Sequence, residues 1–194
     1  MTRAAETLPQ VMIRSRADLR DWLSAHHASS GTVCLCRFKK PSPSYVPYET
    51  VVEELLCWGW IDSLPRTLDA ERSLLMVTPR NPKSAWSAVN KAHVERARAS
   101  GAMTAAGEAK IAVAVASGQW DFLNDVDALV VPDDLALALA HKGGMAVWDA
   151  YPRSIRRGTL EFIKTAKTAA TRSARIDEVS SSAAEGLRPK NFRR

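Results

Sequence analysis

The sequence predicts an α+β fold, with a small antiparallel sheet and helices in the N-terminal half and an all-helical C-terminal half. Two observations predict this arrangement. Short apolar or β-branched runs of strand length occur up to Thr78. From Ala85 onward the apolar residues recur at helical spacing instead. The first half is therefore expected to hold the sheet, and the second half is expected to be built from helices.

The composition of the chain is that of a globular protein. It has 194 residues, of which 46% are hydrophobic and 25% are charged. No apolar run reaches the length of about 18 residues that a membrane-spanning helix needs. The opening stretch MTRAAETLPQVMIRSRADLR lacks the apolar core of a secretory signal. Three cysteines do not make a disulfide framework in a chain of this length. We therefore expect a cytoplasmic protein.

The first helix and strand follow a leader that we place at residues 1–14. Ser15 and Asp18 have the spacing of a helix-capping box. One apolar helix face follows, formed by Leu19, Trp22, Leu23 and His26. Gly31 ends this helix, and residues 32–38 (TVCLCRF) are apolar on both faces, which is typical of a buried strand.

A second helix and two further strands complete the predicted α+β region. The Pro- and Ser-rich residues 41–47 form a loop. The apolar face of the next helix consists of Val51, Val52, Leu55 and Leu56. Residues 60–68 and 73–78 then predict two strands that meet near Asp69. We assign residues 15–100 to this region.

The rest of the chain predicts helices. Ser84 is a candidate N-cap for a helix that runs to about Ala99. Further helical stripes lie at 107–115, 133–139, 145–151 and 155–184, separated by glycine-containing breaks or irregular segments. We assign residues 101–184 to a helical region and residues 185–194 to a basic disordered tail.

Positive charge is concentrated at the C-terminal end. The formal net charge of the chain is +6, yet residues 153–194 hold 11 Lys and Arg against four Asp and Glu. This segment could attract an acidic protein, a membrane surface or nucleic acid. It could equally be a solvated helix face and a frayed tail. Nucleic acid is the weakest of these partners, because the end of the chain, EGLRPKNFRR, offers a single aromatic ring for stacking.

The densest set of candidate functional residues lies between Cys57 and Asn90. Trp60 and Asp62 are two apart on a predicted strand, so both side chains leave the same face. Arg80 is the nearest cation, in a stiff turn after a proline. Ser84 and Asn90 lie on one side of the predicted helix start.

These residues support two interpretations. In the functional one, Arg80, Ser84 and the helix N-terminus form an anion-binding rim. Trp60 and Trp86 are then apolar walls, and Asp62 is a polar anchor or a general base. The candidate ligand-binding residues are Trp60, Asp62, Arg80, Ser84, Trp86 and Asn90. In the structural interpretation, Asp62 and Arg80 form an ion pair, Ser84 is a helix cap, and the tryptophans fill the core.

Other familiar chemistries find no support in the sequence. The four histidines do not have the spacing of a zinc site, and no glycine-rich phosphate loop or serine-hydrolase motif occurs. We therefore expect no metal and no cofactor. Cys57 is expected to be a small core residue rather than a nucleophile.

At these same residues the chain resembles the YdeI/OmpD-associated family of bacterial proteins. The stretches that carry the resemblance are VCLCRFKK (33–40), YETVVEELLCWGWID (48–62), TPRNPKSAWSAVNK (78–91), GAMTAAG (101–107), GQW (118–120) and TAATRSARIDEV (168–179). The resemblance as a whole extends from about Asp18 to Val179. The resemblance implies an α+β front and a helical back, a link to envelope stress or antimicrobial-peptide tolerance, and an outer-membrane protein partner.

Three hypotheses for function follow. The first is a module that binds a small anionic or aromatic ligand between the tryptophans and Arg80. The second is an enzyme that uses Asp62 as a general acid or base. The third is a basic interaction protein that docks through its C-terminal segment.

Overall fold

The computed structural model describes residues 8–193, with Leu64 described by its backbone alone. The chain divides into two compact units, the first ending at Phe122 and the second beginning at Leu123. Within the described residues every strand lies before residue 80, and the elements of the second unit are all helical. The predicted α+β class with a helical C-terminal half is confirmed.

The first unit is built on a four-stranded sheet. Its strands are β1 (Gln10–Ile13), β2 (Val33–Phe38), β3 (Trp60–Thr67) and β4 (Arg72–Pro79). Their order is β1-β2-β4-β3. β4 pairs antiparallel with both of its neighbours, whereas β1 runs parallel to β2, so the sheet is mixed. β1 lies within the segment that was expected to be a leader, because four residues are too few to show a strand period.

Four helices accompany this sheet, and three of them begin at a Ser or Thr cap. They are α1 (Arg16–His26), α2 (Tyr48–Cys57), α3 (Ala88–Ala99) and α4 (Ala105–Ala116). Ser15 Oγ accepts the backbone N–H of Asp18, as the capping box predicts. The cap of α3 is Ser87 rather than Ser84, since Ser87 Oγ accepts the N–H of Asn90.

Two apolar clusters hold the helices in place. One lies on a face of the sheet and includes Leu23 from α1, Leu55 from α2 and Leu75 from β4. The other lies among α2, α3 and α4 and includes Leu56 and Trp86. Each fully buried leucine contributes about 1.5–3 kcal/mol by leaving water. Because α2 contributes to both clusters, it links the sheet to the two later helices.

A glycine allows α4 to approach the end of α2 closely. A Cβ atom on Gly107 would lie 2.4 Å from the carbonyl oxygen of Cys57, so no larger residue fits there without movement. The same carbonyl accepts a hydrogen bond of 2.6 Å from Thr104 Oγ1. This contact fixes α4, and the chain that leaves α4 then returns toward Trp86.

The second unit consists of helices. They are α5 (Asn124–Asp127), α6 (Asp133–Lys142), α7 (Met145–Ala150), α8 (Arg153–Lys164), α9 (Ala169–Ala184) and a 3₁₀ turn at Lys190–Phe192. α6 ends at Gly143, whose φ of 72° is the left-handed conformation that glycine adopts at little cost. Residues 185–193, expected to be disordered, carry the 3₁₀ turn and hydrogen-bond back to the helices.

All three cysteines are buried and free of disulfides, and all lie in the first unit. Burial, with the nearby carboxylate of Glu54, raises the pKa of the Cys57 thiol to about 11. Cys57 is therefore protonated at neutral pH and unsuited to nucleophilic chemistry.

Candidate functional site

Arg80 is a buried cation at the end of β4. Its backbone N–H donates to Gly59 O at 2.9 Å, and the residue is only 4% exposed. The guanidinium carbon lies 3.8 Å from the centroid of the Trp86 ring, which is a close cation–π contact. Nη2 donates to Ala85 O at 2.6 Å. Two residues of the β4–α3 loop, Ala85 and Trp86, therefore contact the Arg80 guanidinium.

This cation has no acidic partner among residues 8–193. The hydrogen bond to Ala85 is the single one that its guanidinium makes there, and Nε is buried without an acceptor. Burial lowers the pKa of Arg80 to about 10, and no neighbouring carboxylate offsets that effect. Arg80 remains charged at neutral pH, in a place where an uncompensated charge is costly.

The contact between Arg80 and Trp86 is extended by a second indole, Trp120, and by a lysine, Lys91. Trp86 is 1% exposed, and its ring centroid lies 5.1 Å from that of Trp120. Lys91 Nζ lies 5.3 Å from the Trp120 centroid. We call Arg80, Trp86, Trp120 and Lys91 the tryptophan row. It has a cation at each end, and Asp121 lies 3.6 Å from the Lys91 ammonium.

Ser84 and Asn90 lie beside this row in the chain. The Ser84 N–H donates to Asn81 O within the loop, and Asn90 occupies the first turn of α3. No acidic residue lies in that first turn, so the positive end of the helix dipole lacks a local carboxylate. Four of the six predicted site residues, Arg80, Ser84, Trp86 and Asn90, therefore belong to one segment around the start of α3.

Trp60 and Asp62 belong to a different part of the unit. Trp60 lies in the apolar cluster of α1, α2 and the sheet, 1% exposed, and its Nε1 donates to His27 O at 3.2 Å. Asp62 Oδ2 accepts a hydrogen bond of 2.6 Å from the Tyr48 hydroxyl. Among the described residues Asp62 and Arg80 form no ion pair, so the structural pair expected from the sequence is not formed.

Asp62, Tyr48 and Arg37 form a polar cluster near the start of α2. Burial and the hydrogen bond to Asp62 raise the pKa of Tyr48 to about 12. Arg37 is 7% exposed, donates from Nη2 to Val46 O at 2.9 Å, and lies 5.9 Å from the Tyr48 ring centroid. Desolvation lowers the pKa of Arg37.

Sequence reasoning did not include four of these residues in the site. Trp120 was visible as the end of GQW, one of the stretches that carry the family resemblance. Tyr48 and Lys91 likewise stand at the ends of two such stretches, 48–62 and 78–91. Arg37 lies two residues after Leu35 and four after Val33. Because side chains two apart on a strand share a face, Arg37 lies on the same helix-covered face as these two residues.

A buried acid elsewhere in the first unit is fully compensated. Glu54 on α2 is 0% exposed. Its Oε1 lies 2.7 Å from Arg20 Nη1, and its Oε2 lies 2.8 Å from Arg16 Nε. Trp58 Nε1 also donates to Oε1 at 3.2 Å. These partners come from α1 and α2, so this cluster joins the two helices.

The second unit neutralises part of its own basic segment. Arg157 bonds Asp127 at 2.7 Å, and Arg172 bonds Asp134 at 2.7 Å. Lys164 similarly meets Asp125. The acids come from residues 125–134, just outside the segment with the positive excess. Within residues 8–193, no group of three His, Cys, Asp or Glu side chains is placed to hold a metal ion.

Two family models match the chain. Residues 11–110 match a family described as a domain of unknown function, DUF8412, and this match covers more than half of the sequence. Residues 128–186 match the family described as bacteriocin-protection, YdeI or OmpD-associated (OmdA). The resemblance drawn from the sequence is thus confirmed over the second unit, whereas the front half matches a different model.

The comparisons with curated proteins and solved structures add no function for this chain. No curated protein and no solved structure matched it. Within the part that the structure describes, no helix combines the length and apolar composition needed to cross a bilayer.

Proposed function

We propose that this chain, which belongs to the DUF8412 family and carries an OmdA domain at residues 128–186, is a binding module for a small oxyanion. The ligand is held at the β4–α3 loop by Arg80. Ser84, Asn90 and the N-terminus of α3 lie on the same segment and can donate to it. The observation that carries the proposal is a guanidinium 4% exposed, with no acidic partner among residues 8–193.

The energetic argument starts from the cost of the unpaired charge. Removing a cation from water costs several kcal/mol after relaxation, and an opposite charge repays part of this cost. The cation–π contact with Trp86 contributes about 0.5–2 kcal/mol, which is less than that cost. A bound anion would supply the missing counter-charge.

The geometry favours an oxyanion in particular. A guanidinium that stacks on an indole face keeps its edge for hydrogen bonds, and that edge matches the two oxygens of a carboxylate or phosphate. Lys91, at the other end of the tryptophan row, adds positive charge, and so does the first turn of α3. Asp121, 3.6 Å from Lys91 Nζ, partly offsets this positive charge.

The test is anion-dependent thermal stability. Inorganic phosphate, sulfate and acetate are titrated against the wild type, Arg80→Met and Lys83→Gln. Lys83 is the matched control, because it is an exposed cation on the same loop. A ligand at about 100 times its Kd stabilises by about 2.7 kcal/mol. A chain of this length gains about 2–4 °C in Tm for each kcal/mol.

The expected result is stabilisation of the wild type and Lys83→Gln by at least one anion, and none of Arg80→Met. Equal stabilisation of all three proteins would mean that anions act through general screening, and the proposal would fail. Absence of any shift in the wild type across all three anions would also contradict it.

A cellular role follows from the matched family's description, which names bacteriocin protection. We extend the proposal to tolerance of antimicrobial peptides in a cytoplasmic setting. Complementation of a deletion strain by wild type but not by Arg80→Met, at equal protein levels, would support the link. Equal complementation by both would separate tolerance from the anion site.

The two alternative functions have weaker support. An enzyme using Asp62 gains one observation, the 2.6 Å hydrogen bond from Tyr48, but Asp62 lies outside the tryptophan row. A basic interaction surface on residues 153–194 is weakened by the acids that pair with Arg157, Lys164 and Arg172. The oxyanion module is therefore the stronger proposal.

A further inference from the structure

The C-terminal residues 186–193 form a strap that folds back on the helices of the second unit. The Tyr151 hydroxyl donates to Leu187 O. Lys190 N–H donates to Glu178 Oε1 at 2.9 Å, which ties the 3₁₀ turn to α9. Arg193 Nη2 donates to Ser182 Oγ at 2.8 Å. The strap is thus anchored at three points, one at Tyr151, which follows α7, and two on α9.

A glycine inside α8 makes room for the strap. The Phe192 ring packs against Gly158, and a Cβ atom at that position would lie 2.6 Å from Phe192 Cζ. Glycine in a helix interior costs about 1 kcal/mol relative to alanine. Close approach of the aromatic ring accounts for its presence here. The strap and α8 are therefore shaped to fit one another.

The strap and α8 border an open pocket of about 920 Å³. Its apolar lining comes from Ile155, Leu187 and Phe192, and its charged lining comes from Arg188 and Arg193. None of the lining residues among 8–193 is acidic. The volume is in the range of pockets that hold small organic molecules.

The charge around this pocket differs from that elsewhere in the unit. Arg157 and Arg172, on α8 and α9, each meet a carboxylate within the unit. Arg193 donates to the Arg188 carbonyl and to Ser182, both uncharged acceptors. The Arg188 guanidinium makes no hydrogen bond within residues 8–193 and is exposed. Both cations at the rim thus lack an acidic partner there.

We propose that the strap pocket binds a small molecule that carries an anionic group on an aromatic or aliphatic body. The anionic group lies against Arg188 and Arg193. The apolar body lies on Ile155, Leu187 and Phe192. This site is separate from the oxyanion site at Arg80, because all of its lining residues belong to the second unit.

The experiment compares a charged ligand with its neutral counterpart. Naphthalene-1-sulfonate and naphthalene-1-methanol are titrated calorimetrically into wild type, Arg188→Gln and Lys167→Gln. Lys167 is the matched control, an exposed cation of the same unit that does not line the pocket. We expect the sulfonate to bind the wild type and Lys167→Gln equally, and Arg188→Gln about tenfold more weakly.

Two results would overturn the proposal. One is equal affinity of Arg188→Gln and Lys167→Gln for the sulfonate. The other is equal affinity of the wild type for the sulfonate and the neutral alcohol. Arg188→Gln is expected to keep the wild-type Tm, so a lost fold will not imitate lost binding. Arg80→Met is expected to bind naphthalene-1-sulfonate normally, which keeps this test distinct from that of the oxyanion site.

A second variant tests the role of the strap. Gly158→Ala places a methyl group where the Phe192 ring lies, so it should displace the ring and weaken sulfonate binding. Circular dichroism checks that α8 remains folded. Unchanged binding by a folded Gly158→Ala would show that the apolar wall is not part of the site and would contradict the proposal.

Discussion

Two regions of the first unit, around Glu54 and around Arg80, surround a buried charge in opposite ways. Glu54, 0% exposed, meets two arginines and an indole N–H. Arg80, 4% exposed, meets an indole face and one backbone carbonyl, with no acid among the described residues. Where a buried charge joins two helices, the chain supplies its counter-ions. At Arg80 the described residues supply no counter-ion, and the proposed oxyanion would fill that role.

The difference has a thermodynamic consequence. Breaking a compensated buried pair leaves the remaining charges without partners and costs about 3–5 kcal/mol. Replacing an uncompensated buried charge by an apolar side chain of similar volume is often neutral or stabilising. The two sites should therefore respond differently to comparable substitutions, and the following predictions test this difference in order of expected effect.

The largest effect is expected for Glu54→Gln. The substitution removes the negative charge between Arg16 and Arg20, which are each 38% exposed and can partly turn to water. We therefore expect a loss of about 3 kcal/mol, at the lower end for a broken buried pair. Urea unfolding measures it, with exposed Glu95→Gln as the control. A loss no larger than that of the control would contradict the claim that the Glu54 cluster stabilises the packing of α1 against α2.

The next effect concerns Tyr48 and Asp62. A shielded hydrogen bond to a carboxylate contributes about 1.5–3 kcal/mol, and we expect about 1 kcal/mol here because Tyr48 is 43% exposed. A double-mutant cycle of Tyr48→Phe and Asp62→Asn measures this coupling. The corresponding cycle of Asp62→Asn with Arg80→Met should be additive. Coupling in the second cycle would indicate that Asp62 and Arg80 interact after all, as the structural interpretation of the sequence expected.

The same pair predicts a dependence on alkaline pH. The pKa of Tyr48 rises to about 12 in the folded protein, above the value of about 10 for a free phenol. Its contribution to stability is therefore present below about pH 10 and lost as the pH rises toward 12. Wild type should lose stability over this window more steeply than Tyr48→Phe. Parallel pH profiles would indicate that the hydroxyl is not held by Asp62.

A smaller effect is expected for Arg80→Met in buffer without anions. Loss of the cation–π contact opposes relief of the buried charge, so the change should stay within about 1 kcal/mol in either direction. Urea unfolding again measures it, beside Glu54→Gln. A loss as large as that of Glu54→Gln would make Arg80 a structural residue and would remove the other side of the comparison.

The smallest effect is expected for an exposed pair of the second unit. Arg172→Gln should cost no more than about 0.5 kcal/mol, since both partners reach solvent. The hydrogen bond from Arg172 lowers the pKa of Asp134, so the contribution is present above about pH 4 and lost as the pH falls through that lowered value. Unfolding at pH 7 and pH 3 should show a smaller difference between variant and wild type at pH 3 than at pH 7.

The fold class could be predicted from the sequence because periodicity is a local signal. The capping box at Ser15 and the apolar faces of α1 and α2 needed only neighbours along the chain. β1 could not be found this way, since its strand character depends on hydrogen bonds from β2. The start of α3 was misplaced by three residues because Ser84 and Ser87 are both acceptable caps.

The candidate site was only partly predictable, for a related reason. Alternation along β3 places Trp60 and Asp62 on one face, but it does not reveal which helix covers that face. That helix is α2, which brings Tyr48 to Asp62 and leaves Arg80 without an acid. The contact between the Trp86 and Trp120 rings joins two segments, and no local spacing in the sequence predicts it.

The placement of the cysteines makes thiol reactivity a probe of the first unit alone. Cys34, Cys36 and Cys57 are inaccessible in the native first unit, and the second unit contains none. A disulfide reagent such as dithionitrobenzoate will therefore react only when the first unit opens. Its rate will report the lifetime of that unit alone, while a helical signal monitors the whole chain. Comparing the rate of thiol modification with the loss of the helical signal would reveal whether the two units unfold together or one after the other.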